Sequence, residues 1–156
     1  MKKIVSYLFT AMAVALVFAA CKKDKGEEEP GETKTQLLTK STWKFDKATA
    51  SGMGDVSSEI DECITDNLLT FTSTVENAGA GVIDEGDTKC SESNPQTIIF
   101  TWTLENGGNT LISSEPFFTD GSTEFTVITL NATSLVVSQE MTFGPLTTTV
   151  TVHFKH

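Results

Sequence analysis

From Thr42 onward, apolar and polar positions alternate and do not recur at helical spacing. In Thr97–Leu104, Ile98, Phe100, Trp102 and Leu104 fall on one face, and Thr97, Ile99, Thr101 and Thr103 on the other. In the last run, Val150, Val152 and Phe154 oppose Thr149, Thr151 and His153. A period of two puts each set on one side of a strand. The pattern predicts eight strands, near Thr42–Thr49, Leu68–Thr74, Ala80–Glu85, Thr97–Leu104, Thr110–Ser113, Thr123–Leu130, Leu135–Phe143 and Leu146–Phe154. The class is therefore all-β. Thr123–Leu130 does not keep one phase: Phe125 and Val127 compete with Ile128 and Leu130 for the inner face, and a bulge reconciles them.

The breaks between these runs are short. Glu105-Asn106-Gly107-Gly108-Asn109, Asn131-Ala132-Thr133 and Gly144-Pro145 each carry hairpin chemistry. Strands joined this way form an up-and-down meander, and eight of them can close into an antiparallel barrel with no free edge. A two-sheet β-sandwich is the open alternative. An eight-stranded barrel is just wide enough to be filled by side chains or to hold one small ligand. Trp43, Phe45, Leu69, Phe71, Phe100, Trp102, Val137, Met141, Val150, Val152 and Phe154 are the residues expected to fill it.

In Leu37-Leu38-Thr39-Lys40-Ser41-Thr42-Trp43-Lys44-Phe45, a short turn leads to a Trp that opens the first strand. This resembles the start of lipocalins, whose Gly-x-Trp motif packs its Trp across the closed end of the barrel. Ser41 stands here in place of the Gly. Cys63-Ile64-Thr65-Asp66-Asn67 before Leu68-Leu69-Thr70-Phe71, and Ile83-Asp84-Glu85-Gly86 followed by Cys90, resemble the lipocalin-like domain of Bacteroidetes lipoproteins. The resemblance covers residues 37–156. It implies a barrel and transfers no ligand-binding residue.

The N-terminus has a different pattern. Lys2 and Lys3 precede a nearly unbroken apolar run, Ile4–Phe18. That run, about fifteen residues, suits a secretory signal better than a spanning helix of roughly twenty. Val17-Phe18-Ala19-Ala20-Cys21 resembles the lipobox of bacterial lipoprotein signal peptides, with Phe18 where Leu is usual. The resemblance implies cleavage before Cys21 and acylation of Cys21, so residues 1–20 are read as signal peptide. Several acyl chains on one residue give stable anchoring. Residues 21–36 are charged, with Pro30 and Gly31 and few large apolar residues, and read as a disordered tether. The Lys/Asp cluster after Cys21 resembles export signals of Bacteroidetes surface lipoproteins. The expected location is the outer membrane, lipid-anchored, at its periplasmic face or the cell surface.

Without residues 1–20 the chain keeps nine Lys against 21 Asp and Glu, a net charge of −12, and it has no Arg anywhere. A nucleic-acid partner is disfavoured, since phosphate neutralisation needs a basic footprint. The same lack leaves no guanidinium to grip a carboxylate or phosphate ligand.

Besides Cys21, the cysteines are Cys63 and Cys90. An even pair in an oxidising compartment reads as a disulfide, with two reduced thiols as the alternative. A bridge would draw together Asp61, Glu62 and Asp66 with Asp84, Glu85, Asp87 and Glu92. These read as a solvated acidic face, with calcium between the clusters as the alternative. No metal site or cofactor is assigned.

Catalysis has little to work with. His153 and His156 are the only histidines, both at the C-terminal end, and no Cys-His or Ser-His-Asp arrangement survives placement on the strands. The expectation is a non-enzyme. Phe117-Phe118, in a loop, read either as a plug over one barrel end or as an aromatic platform for a ligand. The candidate ligand-binding set is Phe100, Trp102, Phe117, Phe118 and Val152. The leading functional reading is a binding module for a small, largely apolar molecule, neutral or cationic. The alternatives are a structural or interaction module of the cell envelope with a filled barrel, and a glycan-binding accessory lipoprotein. Cavity volume discriminates the first two.

Overall fold

The structure is a computed structural model that describes residues 31–156 apart from 120, 144 and 145. The signal peptide, Cys21, most of the tether and the Gly144-Pro145 turn lie outside the described residues. Among the described residues, nine strands form one antiparallel sheet: β1 (Trp43–Ala50), β2 (Gly54–Asp55), β3 (Leu68–Val75), β4 (Ala78–Asp84), β5 (Thr97–Glu105), β6 (Thr110–Ser113), β7 (Glu124–Leu130), β8 (Ser134–Phe143) and β9 (Leu146–Lys155). Neighbours pair in chain order from β3 to β9, and β1 pairs with both β3 and β9. That last pairing closes the sheet, so the fold is an eight-stranded antiparallel barrel with β2 as an extra strand, not a sandwich. Each expected strand is present within two residues of its expected bounds, because alternation of burial decides where pairing is worthwhile.

The inner face follows the sequence pattern. Phe100, Trp102, Leu104, Val150, Val152 and Phe154 are buried, while Thr97, Ile99, Thr101 and Thr103 face out. The expected bulge in β7 lies between Val127 and Thr129 and leaves Ile128 exposed. A second bulge, between Phe45 and Lys47, was not foreseen. It turns Asp46 and Lys47 outward together and carries Ala48 and Ala50 to the inner face. Phe45 is therefore only half-buried, a correction to its expected place in the barrel filling.

Two glycines make the filling possible. Gly81 pairs with Phe100 and Gly79 with Trp102 across β4 and β5. A Cβ on Gly81 would stand 2.2 Å from the Phe100 ring, and one on Gly79 2.9 Å from the Trp102 indole nitrogen. Each ring thus lies over a bare backbone position, and the Trp102 indole donates to the Ala80 carbonyl at 2.9 Å.

One end of the barrel is closed by helix α1 (Lys34–Leu38). Thr33 and Gln36 cap it reciprocally, so residues 34–36, expected from the sequence to be tether, lie in a capped helix. The Trp43 indole, fully buried, donates to the Leu38 carbonyl at 2.8 Å, and its ring meets His156 at 3.9 Å, tilted by 34°. The Asn77 amide donates to Thr35 Oγ1 at 2.8 Å, tying the β3–β4 turn to the same helix. Asn77 has a positive φ of 61°, which Asn tolerates better than most residues.

The other end is the mouth. Only Trp43 and Lys44 of β1 pair with β3, so the two strands part company towards it. The connection between them fills the gap with β2, a 3₁₀ turn (Ser57–Glu59) and helix α2 (Glu62–Thr65), burying Val56 and Ile60.

Candidate functional site

Among the described residues, three connections meet at the mouth: 51–67, 85–96 and 114–123. Cys63 in α2 and Cys90 in the second connection form a disulfide, with Cα atoms 5.0 Å apart. The bridge joins two of the three mouth segments. The acidic clusters on either side of it do come together: Asp66 Oδ2 accepts from the Asp87 and Thr88 amides at 3.1 and 2.8 Å. Among the described residues, no three His, Cys, Asp or Glu side chains are grouped as metal ligands.

The third connection supplies the plug. Phe117 and Phe118 are both 4% exposed although they sit in a loop. Phe117 enters the barrel, stacking on Phe125 with centroids 4.7 Å apart and meeting Phe100 at 5.3 Å and Phe71 at 6.1 Å edge-on. Phe71 in turn meets Phe100 and Trp102 edge-on at 5.4 and 5.9 Å. Such offset and edge contacts are the favoured ring geometries. This aromatic cluster occupies the barrel's middle. Of the five candidate ligand residues, Phe100, Trp102 and Val152 are therefore in packed interior, at 1% exposure or less. Phe117 and Phe118 form the floor and wall of the mouth.

Two hollows flank Phe118. One, of about 180 Å³, is lined by Ile64, Ile83, Ile98, Phe117 and Phe118, with Asn67, Glu85, Asn94 and Cys90. The other, of about 200 Å³, is lined by Ile60, Ile64, Phe118 and Met141 with Glu59 and Asp61. A larger groove of about 630 Å³ lies outside the barrel on β7, β8 and β9, lined by Ser, Thr, Gln and Glu side chains such as Thr126, Glu124 and Glu140. It lacks the apolar lining that small-ligand sites usually have.

Glu85 is the residue the sequence reading undervalued. It follows β4 and is 5% exposed. Its amide donates to the Gln96 carbonyl at 2.9 Å, and Oε1 accepts from Asn94 Nδ2 at 3.2 Å. The next residue, Gly86, has φ +62° and packs so closely that a Cβ would meet the Asp66 carbonyl at 2.6 Å. Alternation already held the signal: Ile83 is an inner-face residue, and Glu85 is two positions on. Asn67 and Asn94 carried no comparable pattern.

A closed eight-stranded barrel with a Trp-capped end and a loop-framed mouth defines a lipocalin-like architecture. The family profile described as the lipocalin-like domain matches residues 39–137. The chain belongs to that family. No curated protein matches it.

Proposed function

We propose that this is a lipid-anchored lipoprotein of the Bacteroidetes type, held at the outer membrane through Cys21, whose barrel binds a small, largely apolar ligand at its mouth. The observation that carries the ligand reading is the hollow of about 180 Å³ between the Phe117-Phe118 plug and the disulfide. It joins three isoleucines and two phenylalanines to a few polar groups, the composition of a small-molecule site. Its size is that of one ring: an engineered apolar cavity of about 150 Å³ holds benzene. The anchor reading rests on the Ile4–Phe18 run and Ala19-Ala20-Cys21. Non-catalytic binding agrees with the family and with the lack of any nucleophile–base pair in the reading of the chain.

A second reading keeps one specific observation: the interior is occupied by its own rings. On that reading the protein works through its outer surface, and the mouth is simply where the loops pack. Both parts of the proposal are testable. Cys21→Ser should move the protein from the membrane fraction to the soluble fraction. A panel of single-ring compounds should include one that raises the unfolding temperature, since saturation at 100 times Kd stabilises by about 2.7 kcal/mol. A Cys21→Ser protein that stays membrane-bound ends the anchor reading. A panel with no stabilising member leaves the filled-barrel reading in place.

A further inference from the structure

We infer that the mouth hollow selects a small organic cation, a primary ammonium group on a single-ring apolar body, with Glu85 as its counter-ion. The inference rests on the mouth-ligand reading above and names the chemistry of that site.

Glu85 holds an unspent carboxylate oxygen. Glu85 Oε2 is buried and has no hydrogen-bond partner among the described residues. Asn67 Oδ1, lining the same hollow, is buried and unpartnered as well. Buried polar atoms are nearly always paired in native proteins, and each exception calls for a reason. Asp66 Oδ1 and Gln139 Nε2 are the other such atoms among the described residues; Glu85 and Asn67 are the pair whose residues line one hollow, and on both the unpaired atom is an acceptor. What is missing is a donor.

No described residue supplies it. The ion pairs among the described residues are Lys40–Glu32 and Lys155–Asp46, and neither involves Glu85. Lys89, in the connection that carries Cys90, turns its ammonium to the carbonyls of Glu92 and Asn94. Asn94 satisfies Oε1 only. There is no Arg in the sequence.

The surroundings fix the kind of donor. The remaining wall is apolar, from Ile64, Ile83, Ile98, Phe117 and Phe118, so the body of the ligand is apolar. Two unpaired acceptors, one of them on a carboxylate, favour a group that donates, which an ammonium does and a carboxylate cannot. The hydrogen bonds on Oε1 and on the Glu85 amide, with Gly86 locked against Asp66, hold the carboxylate in place before the ligand arrives. Preorganisation of this kind lowers the cost of binding.

The test compares three probes of one shape on the full mature protein in detergent: benzylamine, benzyl alcohol and benzoate, by calorimetry. The expected order is benzylamine at least about tenfold tighter than benzyl alcohol, the lower end for a hydrogen bond to a charged group, with no saturable binding of benzoate. Glu85→Gln keeps the shape and removes the charge. It should bring benzylamine down to the affinity of benzyl alcohol. Equal binding of amine and alcohol by the unaltered protein overturns the cation inference and leaves the mouth-ligand reading standing. Saturable binding of none of the three overturns both. The comparison on the unaltered protein decides the matter even if Glu85→Gln fails to fold.

Discussion

Gly81→Ala is the smallest change that interrogates the barrel filling. The added Cβ would stand 2.2 Å from Phe100 Cζ and 2.7 Å from both Cε atoms. Ordinary carbon contacts begin at roughly 3.5 Å, so the ring must withdraw by about 1.3 Å. It has nowhere to go: Phe71 meets it edge-on at 5.4 Å and Phe117 at 5.3 Å. Overpacking of this sort costs about 1–3 kcal/mol. At a strand position without such a neighbour, Ala improves on Gly by roughly 0.5–1 kcal/mol, so the expected sign is the reverse of the usual one. Urea unfolding of the variant and its parent gives the difference by linear extrapolation. A double-mutant cycle with Phe100→Leu isolates the cause. In the Leu background the penalty should fall by about 1 kcal/mol or more, because the ring that the methyl strikes is gone. A neutral or stabilising Gly81→Ala, or a penalty unchanged by Phe100→Leu, would refute the claim that Phe100 lies across β4 and fills the interior.

Trp43→Ala should cost roughly 3–5 kcal/mol in the same unfolding assay, as a fully buried aromatic does. Trp43→Phe should cost less, yet leave the Leu38 carbonyl without its donor, for about 1–3 kcal/mol; a cost under about 1 kcal/mol for the Ala variant would fall in the surface range and contradict the closed-end placement. Cys63→Ala should cost about 2–5 kcal/mol, and thiol labelling of the denatured, unreduced protein should find neither Cys63 nor Cys90; labelling of both would rule out the bridge.

Alternation made the strands legible because the barrel has one dry face, and each residue on it must keep phase with its neighbours. Trp43 and the Cys63–Cys90 pair were legible for chemical reasons: a large aromatic at a strand start tends to be buried, and an even pair of cysteines read as exported is expected to join. The rest was decided by contacts far apart in sequence. Nothing in Phe45-Asp46-Lys47 marks a bulge, which exists because β1 must follow β9 on one side while leaving β3 on the other. Ser51–Asn67 has no period, since a segment that crosses a barrel mouth presents no continuous face. Phe117 and Phe118 read from the sequence as plug or platform, but the descent of Phe117 into the interior depends on the rings of Phe71, Phe100 and Phe125 on other strands. Glu85 was readable by phase and was passed over because a carboxylate among six other acids reads first as solvated.

The central claim is that the ligand sits at the mouth while the barrel's middle stays filled. Methyl NMR of the unaltered mature protein, titrated with benzylamine, tests both halves at once. The account predicts saturable shifts for the methyls of Ile64, Ile83 and Ile98, which line the mouth hollow. Those of Leu111, Val137 and Val152, buried on the inner face, should hold still. Shifts that instead centre on Leu111, Val137 and Val152 would place the ligand inside the barrel and contradict the account.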